Sequence, residues 1–280
     1  MLHGSGATKV AMVTGASRGI GKEAALALAA DGWRLVLTAR SVAGGATFEG
    51  TSLTDPVAGA ALPGSVDEVA AACVALGGEA VPVALDLTDP EGVALAADEA
   101  LAAFGRVDAM VSNAIYQGPG INDRFLDVPL DLLQRVIEAD AVTPLILLKR
   151  LLPPMLERGD GVFVHLTSGA ATLSPRKPAG EGGWGLAYAM AKGAAHRIAG
   201  VLHAEHAGQG LRAYSLNPGH VVTDVMRARA EHARTEVTGD PPEGPAAVIA
   251  WLLAGSEPAR ALAGREVVSR DVLAEHHLLG

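Results

Sequence analysis

Short apolar runs alternate with helix-type segments along most of this chain. Runs of this kind are typical of parallel strands buried on both faces, and their alternation with helices indicates an α/β fold. The segments predicted as strands are 9–14, 33–39, 80–85, 107–112, 161–166, 211–216 and 265–269. No change of composition marks a boundary, so we expect one domain over residues 1–280.

Helical periodicity, with turn residues at the ends, defines the segments between the strands. The predicted helices are 22–31, 65–76, 90–104, 130–152, 188–206 and 245–253, and 224–240 is compatible with a helix. Ser65 is expected to cap its helix, because Glu68 three residues later completes a capping-box pattern. Residues 41–64 show no period and are rich in Gly, Thr and Pro, which predicts a long loop.

Composition excludes several classes of partner. The formal net charge of −9, without a basic cluster, argues against nucleic acid or anionic membrane as the main partner. The single Cys73 excludes an intramolecular disulfide, and its apolar spacing predicts a core position. Residues 1–9 lack the apolar segment of a signal peptide, and no run reaches the length of a membrane span. A soluble, cytoplasmic protein is the expectation.

Glycines at 15, 19 and 21 follow the first strand and precede an alanine-rich helix. Glycines allow a tight turn and close approach to a pyrophosphate, while the helix N-terminus offers free N–H groups and a favourable dipole. The spacing departs from the common Gly-x-Gly-x-x-Gly pattern. The arrangement of strand, turn and helix still predicts dinucleotide binding.

Tyr188 and Lys192 lie four residues apart in a predicted helix, and therefore on one face of it. A positive charge beside a phenol favours the phenolate and makes the pair suited to proton transfer. Alone, such a pair is more often one half-buried ring and one solvated charge. Its position after the strand that ends at Ser168 favours the catalytic interpretation.

These motifs together resemble the short-chain dehydrogenases/reductases. Residues 14–21 match the opening of that family at every expected position, and Asp86, Asn113, Ser168, Tyr188, Lys192 and Pro218-Gly219 follow in the family's order. The resemblance implies a Rossmann-type, doubly wound sheet of about seven parallel strands with helices on both faces. It also implies hydride transfer between a nicotinamide cofactor and a carbonyl or alcohol, and a homotetramer or homodimer.

The resemblance assigns roles residue by residue. Ser168 would polarise the substrate carbonyl, Tyr188 would exchange its proton, and Lys192 would hold the nicotinamide ribose. The family's catalytic asparagine, whose backbone carbonyl is thought to bind a water linking the lysine to solvent, falls on Asp140. The positions implied for cofactor binding are Gly15, Ser17, Arg18, Gly19, Ile20, Gly21, Asp86, Leu87, Asn113, Ala114, Tyr188, Lys192, Pro218, Gly219, Val221 and Thr223.

Arg40 ends the second strand, where a Rossmann fold meets the adenosine ribose. A guanidinium there can pair with a 2′-phosphate, and Arg18 could join it, whereas an acidic residue would accept a bond from a free 2′-hydroxyl. The sequence therefore favours NADP(H) and leaves NAD(H) possible. The alternative is that both arginines are ordinary surface charges.

Several departures from the family pattern give this chain its individuality. Ile115 replaces a glycine, Asp140 replaces the asparagine, and 19 residues separate Ser168 from Tyr188. We expect Asp140 to keep its function through the main chain; the alternative is a shifted pKa that alters the pH dependence. The long connection over residues 169–187 is expected to form either a wall of the site or a solvated excursion. Candidate substrate contacts are Tyr116, Gln117, Trp184 and Met226.

Two other interpretations stay open. His196, His203 and His206 share part of one helix, but their spacing lacks the His-Glu-x-x-His pattern, so surface positions are favoured over a metal site. Because Ile115 and Asp140 depart from the family, a dinucleotide-binding scaffold or regulatory protein without catalysis is the second functional hypothesis.

Overall fold

A computed structural model describes residues 8–234 and 236–279 and contains a seven-stranded parallel sheet. The strand order is β3-β2-β1-β4-β5-β6-β7. The strands are β1 Val10–Thr14, β2 Arg34–Ala39, β3 Glu79–Ala84, β4 Ala109–Ser112, β5 Val162–Leu166, β6 Arg212–Asn217 and β7 Glu266–Val268. This confirms the predicted doubly wound sheet, in which the order reverses between β1 and β4.

Ten α-helices in the described residues surround the sheet. They are α1 Gly19–Ala30, α2 Val66–Ala75, α3 Pro90–Phe104, α4 Leu130–Ile137, α5 Pro144–Arg158, α6 Leu186–His206, α7 Asp224–Ala233, α8 Glu243–Ala254, α9 Glu257–Ala261 and α10 Ser269–His276. Helices α1, α2 and α8 pack on one face, and α3, α5 and α6 on the other. The two resulting apolar layers fix the sheet and hold its carboxyl edge in place for a site.

The prediction of one regular helix over 130–152 is wrong in two respects, because the helix is interrupted and it ends later than residue 152. Residues Glu138–Val142 form a π-helical segment between α4 and α5, which continues to Arg158. The N–H of Thr143 donates to the carbonyl of Glu138 at 2.8 Å, five residues back. Pro144 has no N–H, so the carbonyl of Asp140, four residues before it, lacks its α-helical donor.

Residues 41–64, which we call the first insertion, form a loop between β2 and α2, as predicted. The loop nevertheless has its own packing: Phe48 and Val57 are buried, and Thr47 pairs with Ala61 in an antiparallel bridge. Ser65 then caps α2, its Oγ accepting from the N–H of Glu68 at 3.2 Å. The capping pattern was therefore interpreted correctly.

Other helix and strand boundaries differ from the predictions by a few residues, as at α1, which begins at Gly19 instead of residue 22. Cys73 is buried, as predicted, and burial raises the pKa of its thiol to about 11. The expectation about a signal peptide falls mainly on residues 1–7, which lie outside the described residues. Within the described part of the chain, no helix is long and apolar enough to cross a membrane.

Candidate active site

The glycine turn closes tightly at the carboxyl end of β1. Gly15 has a φ of +68°, and a Cβ on Gly21 would lie 2.3 Å from the carbonyl oxygen of Gly15. No larger residue fits at position 21 without moving the turn. Ser17 is buried beneath the turn, and Ile20 packs partly against the core. The turn therefore presents the first N–H groups of α1 at the edge where dinucleotides bind.

A carboxylate already lies at this helix end. The N–H of Gly19 donates to Oδ2 of Asp224 at 2.8 Å, and a Cβ on Gly19 would come within 3.2 Å of Cγ2 of Thr223. Thr223 itself caps α7, with its Oγ1 accepting from the N–H of Met226. The start of α7 thus lies directly against the glycine turn, where an anion is favoured.

Asn113 ties the sheet centre together. Its Nδ2 donates to the carbonyls of Thr14 at 2.9 Å and Gly15 at 3.1 Å. The backbone N–H groups of Asn113 and Ala114 both donate to Oγ1 of Thr14 at 3.0 Å. These bonds fix the ends of β1 and β4 relative to each other at the carboxyl edge of the sheet, where a doubly wound fold binds its ligand.

Tyr188 and Lys192 lie on one face of α6, as their spacing predicts. Lys192 is only 4% exposed, and its Nζ donates to the carbonyl of Leu166 at 2.8 Å. The same Nζ lies 6.0 Å from the ring centroid of the partly buried Tyr188. Because an ammonium has three donors, two stay available beyond Leu166 for other partners. A buried positive charge beside a phenol is the arrangement that proton transfer requires.

Asp140 lies in the π-helical segment, which packs against α6. Its Oδ1 accepts the N–H of Tyr116 at 2.5 Å, while Oδ2 is buried without a partner among the described residues. Burial raises the pKa of Asp140 to about 6, although the positive charge of Lys192 and the N–H of Tyr116 oppose the shift. The carboxylate is thus electrostatically coupled to Lys192.

Ser168 follows β5 and begins a short turn of 3₁₀-helix, Gly169–Ala171. Its Oγ accepts the N–H of Ala170 at 3.2 Å, so the hydroxyl hydrogen is free to donate elsewhere. The turn packs against α6, which carries Tyr188. The two residues therefore belong to adjoining elements at the same edge of the sheet.

Arg40 ends β2, as predicted, but it has a partner that the sequence pattern did not reveal. Its Nη1 lies 2.5 Å from Oε1 of Glu49 in the first insertion, in an ion pair whose side chains are 39% and 48% exposed. Arg18 donates to the carbonyls of Pro63 and Gly64 and to Oγ of Ser41. Its guanidinium thus fastens the end of the insertion.

The remaining cofactor candidates lie on loops at the same edge. Oδ1 of Asp86 accepts from the N–H and Oγ1 of Thr88, so this side chain also starts a turn, and Leu87 is buried. Gly219 has a φ of +80° and donates its N–H to Oδ1 of Asn217. Val221 is buried. These contacts define the local backbone and leave a role in cofactor binding as a prediction.

The four candidate substrate contacts lie in different environments. The ring of Tyr116 is 8% exposed and packs in the core, so what it gives the site is its backbone N–H. Gln117 and Met226 are partly buried. Trp184 lines an open pocket of about 490 Å³ together with Phe125, and Ser168 and Tyr188 are not among its lining residues.

Three histidines that were considered as metal ligands have other neighbours. Nδ1 of His196 lies 2.9 Å from Oγ1 of Thr167, and Nδ1 of His206 lies 2.7 Å from Oε1 of Gln209. His203 packs against Gly264. His165 in β5 is buried, and burial, with the charges of Lys192 and His196, lowers its pKa well below the usual value. It is therefore neutral.

The parallel sheet, with its glycine turn at the carboxyl end of β1, has the architecture of a Rossmann-type fold. The family model described as short chain dehydrogenase matches residues 9–51 and 57–234. The chain is 31% identical over 255 residues to 1-deoxy-11-beta-hydroxypentalenate dehydrogenase of Streptomyces exfoliatus, covering 89% of this chain and 81% of that protein. It is 30% identical to the short chain dehydrogenase pigC of Monascus ruber, covering 78% and 64%.

Solved structures agree with this assignment. A metagenomic short-chain oxidoreductase in complex with NADP aligns with a TM-score of 0.68 at 26% identity, over 93% of this chain and 96% of that one. A 7α-hydroxysteroid dehydrogenase with bound NADH shares the fold with a TM-score of 0.72 at 24% identity, over 93% and 92%. The chain belongs to the short-chain dehydrogenase/reductase family of NAD(P)-dependent oxidoreductases, which act on CH–OH and C=O groups.

Proposed function

We propose that this protein transfers hydride between NADP(H) and a small carbonyl or secondary alcohol, with NADP(H) preferred over NAD(H). The observation that carries the proposal is the buried Lys192, with its Nζ held by Leu166 at 2.8 Å and lying 6.0 Å from the Tyr188 ring. Burying an ammonium is costly unless it is paired or hydrogen-bonded, and Leu166 satisfies only one of the three donors of Lys192. Its two other donors suit a ribose, and its charge favours the phenolate of Tyr188.

In the direction of reduction, each side chain has one task. Ser168 donates its hydroxyl hydrogen to the substrate oxygen, which becomes negative as the carbonyl is reduced. Tyr188 gives that oxygen its phenolic proton, and Lys192 stabilises the phenolate that remains. The nicotinamide supplies the hydride. In the direction of oxidation the proton returns to Tyr188.

The glycine turn, Asn113 and Arg40 support dinucleotide binding. The tight turn at Gly15 and Gly21 allows the pyrophosphate to approach α1, and Arg40 offers a bidentate partner for a 2′-phosphate. Asp86, Leu87, Val221 and Thr223 complete the proposed contacts along the edge. Glu49 competes for Arg40, so the preference for NADP(H) depends on displacing one exposed ion pair.

Substrate contacts, location and assembly belong to the same proposal. Gln117, Trp184, Met226 and the Tyr116 segment are the proposed substrate-side positions. We propose a cytoplasmic location and a homodimer or homotetramer. The assembly is supported by exposed apolar side chains on the helices that such family members pair, including Leu130, Met190 and Val201. Sedimentation of the purified protein tests the assembly.

The function is tested by following NADPH oxidation with a panel of aldehydes and ketones, and NADP reduction with secondary alcohols. Turnover of at least one compound supports the proposal. NADPH binding without turnover across the panel favours the scaffold hypothesis, and absence of binding contradicts both. Titration with NADPH and NADH tests the preference, because equal affinities would exclude it.

A further inference from the structure

The first insertion makes contacts on two sides of the proposed substrate cleft. On one side it bonds to Arg229 of α7, the helix that begins at the glycine turn. On the other side it bonds to residues 122 and 123, in the loop that follows β4. Several of its polar groups are therefore bonded to the two elements that flank the proposed cleft.

Asp55 is the centre of the first contact. Its side chain is 2% exposed, and its Oδ2 accepts from Nη2 of Arg229 at 3.1 Å. The same oxygen accepts the N–H of Thr51 at 2.9 Å, and Oδ1 accepts the N–H of Val57 at 3.2 Å. Burial alone would raise the pKa of Asp55, but these donors and the charge of Arg229 outweigh it and lower the pKa. Asp55 is thus a preorganised anionic acceptor.

Arg229 is held in a defined place by a second interaction. Its guanidinium carbon lies 4.9 Å from the ring centroid of Phe48, a fully buried side chain of the same insertion. Nη1 also donates to Oγ1 of Thr51 at 3.4 Å. A cation stacked on an aromatic face and paired with a buried carboxylate has little freedom to move.

The second contact reaches the other flank through the main chain. The N–H of Asn122 donates to the carbonyl of Thr51 at 2.8 Å, and the N–H of Leu53 donates to Oδ1 of Asp123 at 3.0 Å. The neighbouring carbonyl of Ile121 accepts the N–H of Gly185, the N-cap of α6. The insertion is thereby linked to the start of the helix that carries Tyr188.

Helix α7 depends on such polar anchors. None of the side chains described for residues 224–232 is fully buried. Its N-terminal end is held by Asp224 on the glycine turn, and its middle by Arg229 on Asp55. Because its apolar side chains are only partly buried, specific polar bonds contribute to holding this helix in place beside its apolar contacts.

We propose that Asp55 is a positioning residue for substrate binding. Through Arg229 it fixes α7 at one side of the cleft, while the same insertion holds residues 122 and 123 at the other side, so the insertion sets the width of the substrate site. The proposal rests on the oxidoreductase function proposed above for the identity of the cleft. It assigns the first insertion a role in substrate selection in addition to the ion pair of its Glu49 with Arg40.

Asp55→Asn and Arg229→Gln test the proposal, with Asp98→Asn as the matched control. Asp98 forms an exposed ion pair with Arg150 between α3 and α5. Its substitution therefore removes one charge at a place away from the proposed cleft. Both test variants should raise KM for the best carbonyl of the panel by about fivefold or more and change kcat much less. The double variant should be about as impaired as the more impaired single variant, because the ion pair between Asp55 and Arg229 is lost in all three.

Hydrogen exchange in the free protein gives a readout that does not need a substrate. Amides of residues 227–232 should exchange faster in both variants, while those of α6 stay unchanged. The proposal is overturned if amide exchange in α7 is unchanged, or if the KM of Arg229→Gln stays within twofold of wild type. If Asp55→Asn does not fold, Arg229→Gln alone provides the test. A wild type that turns over no carbonyl and no alcohol of the panel contradicts the proposed function instead. The exchange result still tests the coupling between Asp55 and α7.

Discussion

Asp140 stands where the family pattern has an asparagine, and its carboxylate changes the electrostatics of that position. Its carboxylate is buried beside Lys192 and accepts the N–H of Tyr116, and burial raises its pKa to about 6. Its backbone carbonyl lacks an α-helical donor because Pro144 follows four residues later. We therefore expect this carbonyl to accept a hydrogen bond from a water whether the side chain is an acid or an amide.

Asp140→Asn should leave turnover within about tenfold of wild type, or about 1.4 kcal/mol of barrier. The amide oxygen can still accept the N–H of Tyr116, and the backbone carbonyl is unchanged. Near pH 6 the wild type should show an inflection in kcat that the variant lacks, because only the acid titrates beside Lys192. A larger change in turnover, or an inflection retained in the variant, would contradict this account of Asp140.

Stability gives an independent check on the same variant. The folded protein holds the Asp140 proton up to about pH 6, whereas an ordinary aspartate releases it near 3.8, so wild-type stability falls as the pH rises between these values. The asparagine has no such loss. Its gain in unfolding free energy should be on the order of 2 kcal/mol at about pH 8 and vanish near pH 4 in denaturant titrations.

Glu49→Gln should tighten NADPH binding by about three- to fivefold and leave NADH binding within twofold. Glu49 pairs with Arg40 at 2.5 Å, so a 2′-phosphate has to displace a carboxylate to reach the guanidinium. A free 2′-hydroxyl is uncharged, so the negative charge of Glu49 does not repel it. Fluorescence titration with both nucleotides measures the difference.

The matched control for this prediction is Glu79→Gln. Glu79 pairs with Arg34 at the opposite end of the strand that ends at Arg40, with a similar exposed ion pair at 2.7 Å. Its loss should leave both affinities unchanged. Equal tightening of NADPH and NADH by Glu49→Gln would mean that Arg40 does not recognise the 2′-phosphate.

At the scale of elements, local signals predicted what local interactions determine. Ser65 with Glu68 correctly marked the start of α2, and the apolar runs marked all seven strands. The π-helical segment at Glu138–Val142 was missed, because the apolar positions from 130 to 152 fit an ordinary helix and Pro144 alone hinted at the break. The packing of the first insertion was missed because its contacts run to residues far along the chain.

Asp224→Asn should strengthen dinucleotide binding by roughly five- to tenfold at low salt, and less as salt is added. The carboxylate now takes the N–H of Gly19 at the end of α1 that favours an anion, so it opposes the pyrophosphate electrostatically. Asparagine keeps the hydrogen-bond acceptor and removes the charge. The Kd for NADPH, measured at several salt concentrations, reports the change.

Asp31→Asn at the other end of α1 is the control, since Asp31 is an exposed C-cap residue. It should not alter the Kd at any salt concentration. If Asp224→Asn behaves in the same way, the carboxylate at Gly19 does not oppose the cofactor, and the start of α7 would have to sit farther from the pyrophosphate than the turn geometry indicates.

For the whole molecule, the order of the motifs predicted the fold, and the fold places most of the proposed site residues at one edge of the sheet. The bond from Gly19 to Asp224 spans 205 positions, and that from Arg229 to Asp55 spans 174. In neither pair does the sequence around one residue indicate its partner, because such pairs arise from tertiary packing. What the sequence could not provide is therefore the set of contacts that shape the substrate cleft.

In the proposed mechanism, Tyr188 exchanges the proton while Lys192 and the glycine turn hold the cofactor. The most direct measurement compares wild type and Tyr188→Phe for NADPH affinity and for turnover of the best carbonyl. Because phenylalanine keeps the ring and loses only the hydroxyl, the Kd for NADPH should stay within about twofold and kcat should fall by at least about 10³-fold. A variant that binds NADPH and still turns over at a rate near wild type would contradict the account.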